Sequence, residues 1–97
     1  MKLKNFEHLP DPSRVWIHGF RDPVGKSGRM RIFDSLEEFL PTWKTHGQPV
    51  ESAFDLFEDR FLITGGYAPG GLSGCAIDSY VRVLRELRES NGLDALN

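Results

Sequence analysis

Two β-rich runs, Glu51–Phe57 and residues 60–67, are separated by only Glu58 and Asp59, and nothing else in the sequence narrows the fold as much. Strands joined by so short a turn must run antiparallel, because a parallel pair needs a crossover of about a dozen residues. Alternation puts Phe61 and Ile63 on one side of the second run and Leu62 and Thr64 on the other. An isolated hairpin is marginal in water, so the rest of the chain has to supply a further strand and something to cover the sheet.

Residues 15–20 supply the strand, with Val15 and Ile17 on one face and Trp16, His18 and Phe20 on the other. Cover comes from the C-terminal third. Ser73 is an N-cap for a helix over Gly74–Asn91 that Gly92 terminates. Ile77, Tyr80, Val81, Leu84 and Leu87 form its buried stripe, and Arg82, Arg85, Glu86, Arg88 and Glu89 face water. A second helix is expected to start at Asp34 or Ser35, with Glu37 and Glu38 in its first turn and Leu36, Phe39, Leu40 and Trp43 along one side. Pro41 should kink or divide it, and Gly47 should end it. Residues 21–28 and the glycine-rich residues 65–72 read as loops, while residues 29–33 fit either a short strand or an early turn of helix. This order of elements predicts an α+β fold, a small antiparallel sheet of three or four strands with two helices packed on one face. It forms a single domain, 1–97, with residues 1–13 as an extended lead-in and residues 93–97 as a frayed tail.

The chain has 97 residues, which leaves no room for a second core, and its 39% hydrophobic residues suffice for one. Cys75 is the single cysteine, which excludes an internal disulfide, a cysteine-built zinc site and an internal CxxC redox pair; no metal site and no cofactor are assigned. There is no long apolar run and no signal-type apolar segment near Met1, so a cytoplasmic protein without a membrane partner is expected. Residues 1–33 carry a net +4 and residues 34–97 a net −6. A basic segment on an acidic molecule of pI ≈ 5.9 lacks the broad positive face of a nucleic-acid binder.

Four segments occur in order: Ser13-Arg14-Val15-Trp16-Ile17, Trp43-Lys44-Thr45-His46-Gly47, Arg60-Phe61 and Ser73-Gly74-Cys75-Ala76-Ile77-Asp78. In this combination the chain resembles a family of small uncharacterised bacterial proteins, some of which carry the label "ABC transporter ATPase". The resemblance covers Phe6 to about Leu87 and implies an α+β fold. Relatives tend to have an acidic stretch where this chain has its glycine loop, and many continue further. ATP hydrolysis does not follow from these residues. A Walker A loop needs G-x-x-x-x-G-K-[ST], so that backbone N–H groups and the lysine hold the phosphates and the hydroxyl holds Mg²⁺. Residues 66–73 have Leu72 at the lysine position, and Gly25-Lys26-Ser27 has Phe20 where the first glycine belongs.

Cys75 lies two residues after the Ser73 cap, where the helix dipole favours a thiolate, and His46 is the preferred base over His18 and His8. A thiol-dependent enzyme is therefore the alternative function. Against it, Gly74-Cys75-Ala76 suits close packing, so Cys75 is expected to be buried and slow to alkylate. A second candidate is a small anionic ligand held by Ser73 and the N–H groups of Gly74, Cys75 and Ala76, with Gly70 and Gly71 permitting close approach. Trp16, Trp43 and Tyr67 form either a stacking platform or, as their periods favour, part of the core. Asp55, Glu58 and Asp59 read as a solvated hairpin tip, and Arg60 is expected to pair with Glu58, Asp59 or a strand neighbour. The expected function is a small binding or interaction module that forms a homodimer through strand pairing or through apolar helix faces.

Overall fold

The computed structural model describes residues 6–10 and 12–96. In chain order the elements are β1 (Arg14–Phe20), α1 (Gly25–Phe39), a 3-10 turn (Leu40–Thr42), β2 (Lys44–Thr45), β3 (Gln48–Pro49), β4 (Glu51–Phe57), β5 (Phe61–Tyr67), α2 (Gly74–Asn91) and β6 (Ala95–Leu96). The β4–β5 hairpin forms as its sequence demands. Glu58 (φ 53°) and Asp59 (φ 55°) both take the left-handed conformation that matches strand twist, and the Arg60 N–H donates to the Phe57 carbonyl within a connection of residues 58–60, since Phe57 pairs with Phe61. β1 pairs antiparallel with β5, giving the order β4-β5-β1-β6 and placing Ile17, Ile63 and Asp55 in one register row.

Both helices pack on one face of this antiparallel sheet, so the α+β architecture is the expected one. α2 begins where the Ser73 hydroxyl accepts from the Ala76 N–H (3.1 Å) and ends where Gly92 turns left-handed at φ 69°. Its buried line runs Ala76, Tyr80, Leu87 with Val83 beside it, so Val81, expected in the stripe, lies on the flank and is exposed.

The first helix departs from expectation. It starts at Gly25, so Asp34 and Ser35 are mid-helix rather than caps, residues 25–28 are not loop, and residues 29–33 are helical. Composition misleads here, because Gly28, Ile32 and Leu36 recur at i+4 and are buried. A β-carbon on Gly28 would stand 2.9 Å from Val24 Cβ, so the glycine is a packing residue. Pro41 does divide the segment, by closing α1 into the 3-10 turn. Trp43 is then extended, and Gly47 is not a helix stop: His46 (φ 50°) and Gly47 (φ 77°) make the two-residue turn of the β2–β3 hairpin.

Gly65 and Gly66 belong to β5 and not to a loop, because aromatic rings occupy the space of their missing side chains. A β-carbon would lie 2.8 Å from Phe6 and Leu9 at Gly65, and 3.0 Å from the Trp43 indole at Gly66. The described part of the lead-in turns instead of extending, with the Leu9 N–H donating to the Phe6 carbonyl and the Ser13 N–H and hydroxyl to that of Pro10. The tail is not frayed as expected: Ala95 and Leu96 pair with Phe20 and Gly19. The remaining lead-in residues 1–5 and 11, and Asn97, lie outside the described residues.

Candidate functional site

The start of α2 is capped by Ser73 and tied to the β2–β3 hairpin. The Ser73 hydroxyl is engaged by the Ala76 N–H, the Ser73 N–H donates to Thr45 Oγ1 (2.9 Å), and Ala76 is buried. Gly70 (φ 84°) and Gly71 (φ 89°) make the preceding turn, where only glycine is at ease, and Gly74 and Cys75 are exposed. Thr45 reaches this cap because the β2–β3 hairpin lies against it, a contact with no signature in the sequence.

Cys75 is exposed, which corrects the expectation that it is buried. No close pairing with His46 is present among the described residues, and His46 serves the β2–β3 turn through its backbone conformation. Trp43 is buried and donates its indole N–H to the Ala76 carbonyl (2.8 Å), so it is core and not platform. Trp16, Tyr80 and Phe39 surround it with ring centroids 5.4–6.0 Å away. Of the partners expected for Arg60 it takes the strand neighbour and not Glu58 or Asp59: its guanidinium donates to the carbonyls of Phe20 and Arg21, tying the hairpin tip to the end of β1. Arg29 takes the acidic partner, meeting Asp59 at 3.0 Å. Among the described residues no three His, Cys, Asp or Glu side chains gather closely enough to hold a metal ion, and no helix is long and apolar enough to cross a membrane.

One polar constellation has no counterpart in the sequence reading. The Tyr80 hydroxyl donates to Thr64 Oγ1 (2.8 Å) and, with its proton so used, accepts from His18 Nε2 (2.9 Å). All three side chains are buried, and burial pushes the Tyr80 phenol well above its ordinary range. His18 on the inner face of its strand and Tyr80 on the inner stripe of its helix are each legible. Their meeting across 62 positions is not, because it depends on how α2 crosses the sheet. The chain cross-links β1, β5 and α2 inside an apolar core, where each group must be satisfied.

The opposite face of the sheet is the candidate interface. Val15 is 51% exposed, Ile17 61% and Phe61 38%, although all three lie in or beside the two central strands. Gly19 lacks a side chain, and the Phe61 ring lies 3.7 Å from the place its β-carbon would take, so one apolar strip runs from Val15 to Phe61. Phe6 and Leu9 cover this face at Gly65, and Ile63 and Ala53 beside it are buried, so the exposed part is the strip itself. Compared with known proteins, the chain has no significant match to a family model, a curated protein or a solved structure.

Proposed function

We propose that this protein is a small interaction module that acts as a homodimer, with the outer sheet face of one copy set against that of a second. The observation that carries the reading is the Val15–Ile17–Phe61 strip, which is apolar along its whole length. A twofold brings identical patches together, so a dimer surface must tolerate its own charge, and the Val15–Ile17–Phe61 strip carries none, although Asp55 shares its face. β4 is less suited. The Asp55 carboxylate accepts the Leu56 N–H (2.8 Å) and Glu51 is exposed in the same strand, which is the charged blunting that keeps sheet edges apart. The helices spend their buried lines on the sheet and on each other. Three side chains fall short of the ~800 Å² per partner of a standard interface, so the dimer is a weak one.

A cytosolic setting and membership of the small bacterial family belong to the same proposal, resting on a sequence without an apolar run of membrane-spanning length and on the four motifs. The thiol-enzyme alternative gains access from the exposure of Cys75, but among the described residues no histidine pairs closely with it. Sedimentation equilibrium tests the main reading: the native chain should show reversible association toward twice 11.0 kDa, and Ile17→Lys should sediment as a monomer with its fold intact. A native chain that stays at 11.0 kDa up to millimolar concentration contradicts it.

A further inference from the structure

The rotation of α2 that buries Ala76, Tyr80 and Leu87 leaves Val81 on its flank exposed and Leu84 half-buried beside it. There the surface opens into a cleft of about 420 Å³ whose floor is the His18–Tyr80 pair. This lies toward the small end of pockets that take small molecules. Trp16 forms an aromatic part of the lining, Arg85 and Arg88 stand one turn apart on α2, and Asp94 comes from the segment that leads into β6. Arg85 has no ion pair among the described residues, and Arg88 has only a 3.9 Å contact with its exposed neighbour Glu89, an arrangement worth little in water. Asp94 pairs with neither arginine. Two guanidinium groups and one carboxylate therefore line an apolar-walled cleft without neutralising one another.

From this arrangement we infer that the cleft binds a small aromatic monocarboxylate carrying a hydroxyl donor away from its carboxylate. The arginines present planar donors that match a carboxylate, and Val81, Leu84 and Trp16 offer apolar contact to a ring. Asp94 accepts from the donor, and its charge disfavours a multiply charged anion such as phosphate. This site is separate from the outer sheet face, since Trp16 and His18 lie on the side of β1 opposite Val15 and Ile17. Binding is thus independent of whether the dimer forms.

The test is titration of the full chain with 4-hydroxybenzoate, benzoate and inorganic phosphate, read by NMR shifts of the Leu84 methyls and the Trp16 indole. The expected result is saturable binding of 4-hydroxybenzoate, weakened by about tenfold or more in the exposed-site variant Arg85→Gln/Arg88→Gln. Benzoate should bind more weakly than 4-hydroxybenzoate to the native chain, and the two should converge in Asp94→Ala. Leu84→Trp should fill the cleft and abolish the shifts at Trp16. Absence of saturation, equal binding of phosphate, or unchanged affinity in the double arginine variant would each overturn the inference. The arginine side chains are exposed, so that variant keeps its fold and the comparison stands even if Leu84→Trp does not fold.

Discussion

Burial acts strongly on Tyr80. In the folded protein its phenol stays protonated, whereas in the unfolded chain it ionises at about pH 10. Above that pH the unfolded state binds fewer protons than the folded one, so stability falls as pH rises; below it the contribution is complete. In Tyr67→Phe, which leaves Tyr80 as the only tyrosine, phenolate absorbance should appear only together with alkaline unfolding seen by circular dichroism. Absorbance rising in the folded protein would contradict the burial. Thr64→Val strands the phenol donor and should cost about 1–3 kcal/mol in urea unfolding, the usual penalty for an unmet buried polar group. Gly66→Ala forces a methyl against the Trp43 indole and should cost about as much, ~1–3 kcal/mol, by overpacking. At Cys75 the expected outcome reverses the one drawn from sequence. Exposure predicts rapid alkylation of the native protein, and a rate that rises only on denaturation would contradict it.

Elements were legible where their determinants are local. The Glu58-Asp59 turn, the Ser73 cap and the Gly92 stop each act within a few residues, and β4, β5 and α2 formed where those signals put them. The start of α1 was not legible, because Gly25, Ser27 and Gly28 have the composition of a loop and become helical through packing of Gly28, Ile32 and Leu36. β2, β3 and β6 are two residues each, too short for any period, and exist because Thr45 meets the α2 cap and Ala95 meets β1. Nor could the site be read, since the His18–Tyr80–Thr64 chain and the Arg85–Asp94 cleft are set by the crossing of α2 over the sheet. A pair of alanine substitutions separates the two accounts of helix starts. Ser73→Ala should lose about 1 kcal/mol with its cap, whereas Ser35→Ala, inside α1, should be neutral or stabilising by a few tenths. A loss of about 1 kcal/mol at Ser35 would restore the later helix start.

On the proposed dimer, the two sheet faces of the molecule divide between stability and association. The inner face carries the aromatic cluster of Trp16, Trp43 and Tyr80 and is closed by both helices, while the outer face keeps Ile17 and Phe61 in water at the centre of the sheet. A chain this small has little core to spare, so apolar surface left open over its central strands is costly unless a second copy covers it. Which surface associates is therefore the central claim, and dilution followed by amide NMR from millimolar to micromolar concentration tests it most directly. Shifts should move with concentration at Val15, Ile17 and Phe61 and stay fixed at Ser52 and Leu56. Movement along β4 with a silent outer face, or no concentration dependence anywhere, would contradict the account.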